Sequence, residues 1–179
     1  MRTDGPYGVK PAGYFRRGYH TDPCRAGGVG TFAVQLAKAS GATVIGTASE
    51  RNHDYLRSLG AIPVAYGEGL ADRVRALSPN GVDAVLDAAG GDALRVSLEL
   101  APNPQRIGTI VAFELAEQLG VRTIRSQRSA SRLAELTRLY EQGKLRIQIA
   151  RTFSLEQAAD AHREVETGHV RGKVVLRVN

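Results

Sequence analysis

The 179-residue sequence has one cysteine, Cys24, so it can form no disulfide within the chain and no cysteine-cluster zinc site. Its histidines do not restore a metal centre, because His20, His53 and His169 have no ligand spacing to one another or to Cys24. His162 is read as a packed helix histidine on the face of Leu155, Ala158, Ala159 and Val165 rather than as a catalytic one. No run approaches the roughly 18 apolar residues of a membrane helix, and no membrane partner is expected. Residues 1–20 are basic but carry no apolar stretch of the kind a secretory signal needs. These absences point to a reducing, cytoplasmic setting.

The net charge of +6 is unevenly placed: Arg2, Lys10, Arg16, Arg17 and Arg25 stand against Asp4 and Asp22 in residues 1–25. The remainder is only mildly basic, so the folded part is not expected to present a nucleic-acid surface. The apolar fraction of 42% and charged fraction of 23% are those of a globular protein, and the length suits one α/β domain with a core.

Residues 1–25 mix Gly5, Gly8, Gly13 and Gly18 with Pro6, Pro11 and Pro23 and follow neither a helical nor a strand period, which predicts an irregular tail. Tyr7, Tyr14, Phe15 and Tyr19 interleave there with Lys10, Arg16 and Arg17, a mixture that could stack bases and hold phosphates or be only a solvated leader. Residues 26–40 change character. Gly27, Gly28 and Gly30 form a turn without Cβ atoms, and Val29, Phe32, Ala33, Leu36, Ala37 and Ser40 recur behind it at helical spacing. The positive end of that helix dipole faces the turn, an arrangement suited to a nucleotide pyrophosphate.

Strand and helix periods then alternate. Strands are predicted over residues 43–47, 62–66, 82–87 and 106–113, and helices over 49–59 with Ser49 as cap, 70–77, and 92–100 with Asp92 as cap. Such alternation implies right-handed crossovers and a doubly wound, mainly parallel sheet of the α/β class. Further on, residues 121–124 read as a strand, 130–142 as an amphipathic helix and 145–149 as extended. Ser154 and Gln157 form a capping box opening a helix that ends near Gly168, and residues 173–178 make a last strand.

Four motifs, Ala26-Gly27-Gly28-Val29-Gly30, Gly46-Thr47-Ala48-Ser49, Asp87-Ala88-Ala89-Gly90-Gly91 and Gly172-Lys173-Val174-Val175-Leu176, together resemble the medium-chain dehydrogenase/reductase superfamily, within it the zinc-independent quinone oxidoreductase-like branch. The resemblance implies a Rossmann-like fold, an NADP(H) cofactor and hydride transfer from NADPH to a quinone, enone or related carbonyl compound. By position, Gly27, Gly28, Val29 and Gly30 match the pyrophosphate turn, and Ser49 and Arg51 stand where the ribose is held. A hydroxyl and a guanidinium there suit a 2′-phosphate. Glu50 between them argues the other way. Tyr66 matches a residue beside the adenosine, and Ala88 and Phe113 match segments bordering the ribose and nicotinamide. Each also has an ordinary alternative: Ser49 as a helix cap, Arg51 as a solvated charge, Tyr66 as a strand-end aromatic half in the core.

Two departures from the family pattern shape the expectation. The segment 17–25 is not apolar and contains Asp22 and Pro23, so the sheet is expected to lack a proper first strand. The substrate domain that precedes the glycine turn in the family is missing. No residue is a convincing acid, base or nucleophile, so no catalytic residue is assigned. The expected organisation is an irregular tail at 1–25, a Rossmann-like NADP-binding domain at 26–151 and a C-terminal return segment at 152–179. Such a chain would be a truncated or reading-frame-disturbed relative that need not be active by itself, with opened apolar surface that favours a homo-oligomer. The alternative is a non-catalytic module that binds nucleotide, RNA or another subunit.

Overall fold

Short apolar runs bounded by turns form strands here because they can be buried on both faces, and helices with one apolar face cover them. The computed structural model describes residues 19–21, 28–168 and 170–178. The first part of the chain runs β1 (Tyr19–Thr21), α1 (Gly30–Ala39), β2 (Val44–Ala48), α2 (His53–Ser58), β3 (Ile62–Ala65), α3 (Leu70–Leu77), β4 (Ala84–Asp87), α4 (Asp92–Leu100), β5 (Ile107–Thr109), α5 (Phe113–Leu119) and β6 (Arg122–Thr123). Across the sheet the order is β3-β2-β1-β4-β5-β6, with every neighbouring pair parallel. The order reverses between β1 and β4, as in Rossmann-like folds.

The two-residue side-chain period of a strand divides the core into two layers. Val44 packs with Val34, Ala37 and Leu56 beneath α1 and α2, whereas its neighbour Ile45 joins Val74, Leu94 and Ile107 beneath α3 and α4. Ala84 and Val85 divide in the same way on β4. Pro63 is accommodated because β3 is an edge strand, bonded only to β2.

The C-terminal third adds α6 (Ala130–Glu141), β7 (Ile149–Ser154), α7 (Ala158–Glu166) and β8 (Lys173–Arg177), with β7 and β8 pairing in parallel as a separate two-stranded sheet. The Ser154–Gln157 capping box is present, and the Ser154 hydroxyl, followed by the Glu156 backbone N–H, holds the Glu156 carboxyl below its ordinary range.

Several expectations are corrected. The first strand is not missing: Tyr19–Thr21 stands between β2 and β4, with Tyr19 opposite both Val44 and Ala84. The described ladder rests on three residues, each with a backbone N–H to give; Asp22 and Pro23, with the rest of the predicted tail, lie outside the described residues. Ser49 stands at the cap of a short 3-10 turn, Glu50–Asn52, that precedes α2, but its side chain makes no capping hydrogen bond. Asp92 is the first residue of α4 rather than its cap, a position held by Gly91. The extended segment is displaced from 145–149 to Ile149–Ser154. His162 is exposed rather than packed, because α7 presents the small Ala161 to its neighbours while Leu155 and Val165 stay open.

Candidate functional site

Because β1 to β4 are parallel, the segments that follow them gather along one edge of the sheet, where open α/β sheets hold their ligands. Gly28 and Val29 form the turn into α1, Ser49 follows β2, Tyr66 follows β3 and Ala88 follows β4. Gly27 lies outside the described residues.

Between the ends of β2, β3 and β4 lies a cavity of about 930 Å³, lined by Ser49, Arg51, Asn52, Tyr66, Ala89 and Gly90 among others. Three residues expected at the adenosine end thus converge: Ser49, Arg51 and Tyr66, the last 57% exposed rather than half in the core. Glu50, which lies between Ser49 and Arg51 in sequence, is exposed and outside the lining. Acidic groups also reach the wall at Glu68, Asp72, Asp92 and Glu99, and Arg75 pairs with two of them, Asp72 and Glu99, each at 3.4 Å.

Local bonding sets these turns. Asn52 Nδ2 donates to Ser49 Oγ at 3.1 Å, and the Asn52 N–H donates to the Ser49 carbonyl at 2.8 Å, which folds the 3-10 turn and brings Arg51 to the cavity. Arg73 Nε donates to the Ala65 carbonyl at 3.0 Å, and its Nη2 lies 3.4 Å and 3.3 Å from the Tyr66 and Gly67 carbonyls. That bracket fixes the end of β3. The fully buried Asp87 accepts from the Ala89 and Gly90 N–H groups at 3.0 and 2.8 Å and from Thr109 Oγ1 at 2.5 Å. With φ +77°, Gly90 completes a turn that a side chain would strain.

The glycine turn lies outside the lining of this cavity. Val29 precedes α1 without a side-chain cap, so the first turn of the helix has no local side-chain acceptor from that position. The side chain of Lys173, on β8, lies across Gly28 so closely that a Cβ there would overlap its Nζ, and that Nζ is also 5.5 Å from the Phe32 ring centroid.

Two expected positions lie outside this cavity. Ala88 is buried and outside the cavity lining; its neighbours Ala89 and Gly90 reach the cavity instead. Phe113 does not end a strand but begins α5, and it too lies outside the lining. The cause is Thr109, whose Oγ1 accepts from the Val111 and Ala112 N–H groups at 3.2 and 3.1 Å and turns the chain out of the sheet. Residues that sequence reasoning passed over are Asn52, Arg73 and Thr109. Thr109 had a visible signal, a hydroxyl residue just ahead of a change from strand to helix period; Asn52 acts locally, through Ser49 three residues earlier, and Arg73 reaches back to the end of β3.

The family profile described as zinc-binding dehydrogenase matches residues 59–176. The family's descriptive name carries a metal; among the described residues no group of three or more His, Cys, Asp or Glu side chains could hold an ion. The chain is 30% identical over 183 residues to the mitochondrial NAD(P)H oxidoreductase RTN4IP1 of Danio rerio, covering 86% of this chain and 47% of that protein. It is 31% identical over 170 residues to the chloroplastic quinone-oxidoreductase QR1 of Triphysaria versicolor, covering 84% of this chain and 50% of that protein. Among solved structures, the quinone oxidoreductase from Coxiella burnetii superposes with a TM-score of 0.77 at 38% identity, covering 93% of this chain and 54% of that one. The chain spans about half the length of the relatives it matches. With the parallel sheet order and the profile match in agreement, the chain belongs to the zinc-binding dehydrogenase family, as a quinone oxidoreductase-like member of the medium-chain dehydrogenase/reductase superfamily.

Proposed function

We propose that the chain supplies the NADP(H)-binding part of a quinone oxidoreductase-like enzyme, with residues 26–151 as the dinucleotide domain and 152–179 as a return segment. The observation that carries the cofactor assignment is that Ser49 and Arg51 both line the 930 Å³ cavity while the intervening Glu50 does not. A hydroxyl and a guanidinium can hold a 2′-phosphate through charge-assisted hydrogen bonds, and Glu50, the carboxylate between them in sequence, lies outside the lining. Tyr66 offers its ring to the adenosine end. Gly28, Val29 and Gly30, with Gly27 before them, present the start of α1 to the pyrophosphate. NADPH, when bound, supplies the hydride, and the chain's own residues bind and orient it.

A quinone or related carbonyl compound is the proposed acceptor, since the Triphysaria and Coxiella relatives are quinone oxidoreductases. No zinc is assigned to the reaction. We place the protein in a reducing compartment, cytoplasmic on the sequence reading; the two curated relatives are described as mitochondrial and chloroplastic. Among the described residues no helix is long and apolar enough to cross a membrane.

Titration of the purified chain with NADPH and with NADH, followed by nicotinamide fluorescence and thermal midpoint, tests the reading. NADPH should raise the midpoint at lower concentration than NADH. If neither raises it at millimolar concentration, the dinucleotide assignment is wrong. Arg51→Ala should weaken NADPH by roughly 1.5–3 kcal/mol, the worth of a hydrogen bond to a charged group, and NADH much less. Equal losses would place Arg51 away from the 2′-phosphate.

A further inference from the structure

Arg171 enters the dinucleotide edge from the segment just ahead of β8. Its Nη2 donates to Asn52 Oδ1 at 2.8 Å and to the Arg51 carbonyl at 3.3 Å, and its Nε reaches the same Asn52 oxygen at 3.2 Å. The guanidinium carbon lies 5.3 Å from the centroid of the Tyr55 ring, and Tyr55 Oη is 2.9 Å from Thr31 Oγ1 in the first turn of α1. One side chain therefore touches the turn after β2 directly and the start of α1 through Tyr55.

The polarity of these bonds is determined. A guanidinium has donors only, so the Asn52 amide must turn its oxygen to Arg171 and its NH2 group elsewhere. That NH2 group donates to Ser49 Oγ at 3.1 Å. With a lone pair of Ser49 so engaged, its own proton is left for an acceptor in the cavity that Ser49 lines. A 2′-phosphate accepts such a bond with charge assistance, whereas a ribose hydroxyl receives only a neutral one. Arg171 does not line the 930 Å³ cavity; it borders an adjoining one of about 420 Å³ with Arg51 and Asn52.

We infer that Arg171 is a positioning residue for cofactor choice: acting through Asn52, it holds Ser49 as a hydrogen-bond donor toward the 2′-phosphate and so favours NADPH over NADH. The inference rests on the NADP(H) assignment above and gives it a specific wiring, in which the C-terminal segment controls a turn more than a hundred residues earlier. A loosened fold would weaken both dinucleotides together. The ratio of the two affinities is therefore the informative quantity.

The experiment measures dissociation constants for NADPH and NADH by nicotinamide fluorescence on the full chain, the Arg171→Ala and Ser49→Ala variants and the double variant. Arg171→Ala should lower the preference for NADPH about three- to tenfold, the size of one ordinary hydrogen bond. Ser49→Ala should lower it at least as much, and the double variant should be no worse than Ser49→Ala. If Arg171→Ala is poorly folded, Asn52→Ala keeps the Arg171 contacts to Arg51 and Tyr55 and should show the same drop. A preference unchanged by these substitutions, or additive losses in the double variant, would overturn the positioning role while leaving NADPH binding in place. An unsubstituted chain that binds neither dinucleotide, or prefers NADH, would instead overturn the cofactor assignment and this inference with it.

Discussion

The six-stranded region and the C-terminal third solve the burial problem differently. Val34, Leu94 and Ile107 are at most 1% exposed, whereas Leu133, Tyr140, Ile149 and Val165 are each at least 51% exposed. The first region closes two layers over its own sheet. In the second, α7 covers β7 and β8 with Ala161 and Phe153 buried, and much of the remaining apolar surface stays open. Among the described residues, polar side chains tie it to the first region: Gln35 donates to the Arg146 carbonyl at 3.0 Å and accepts the Arg146 N–H at 2.7 Å, Arg171 holds Asn52, and Lys173 lies across Gly28. Stability should therefore reside in the sheet, while the C-terminal third contributes position to the cofactor edge.

That contrast can be broken at its strong side first. Leu94→Ala removes a fully buried side chain from the layer beneath α3 and α4 and should cost about 2–5 kcal/mol in urea unfolding. A loss below about 0.5 kcal/mol, the range of ordinary surface changes, would mean that the sheet does not carry the stability.

Gln35→Ala cuts the tie between α1 and the segment before β7. Its two bonds to Arg146 should together be worth about 1–3 kcal/mol. The sharper readout is amide exchange: protection should fall over residues 144–154 and hold over β4 and β5. A uniform fall would make the two regions one cooperative unit. The smallest effect is expected at Leu133→Ala, where a 66%-exposed side chain on α6 should change stability by no more than about 0.5 kcal/mol. A loss of 2 kcal/mol or more, in the range of a core truncation, would show that this face is covered in solution.

How much was legible follows the range of the forces involved. The helices Leu70–Leu77 and Asp92–Leu100 were readable from residue spacing, and β2 from its apolar run, because burial on one face or two imposes a local period. The family pattern marks the glycine turn and Ser49, Arg51 and Tyr66; the last three line one cavity, and the described part of the turn lies outside it. Phe113 was misplaced because the Thr109 hydroxyl captures two backbone N–H groups and ends the strand early. The central strand was doubted because residues 17–25 look polar. Yet parallel pairing to β2 and β4 draws on backbone groups, which any three consecutive non-proline residues can supply.

The sequence by itself determined the alternation of strand and helix and the α/β class, and it pointed to the residue types that border the proposed dinucleotide edge, since each depends on local period or on a short motif. Only the tertiary structure decided that Ser49 and Arg51 line the cavity while Glu50 lies outside its lining, that Tyr19–Thr21 completes the sheet, and that Arg171 reaches Asn52 from the far end of the chain. Hydrogen bonds between residues distant in sequence leave no period behind, so their geometry emerges only when the sheet has brought the segments together.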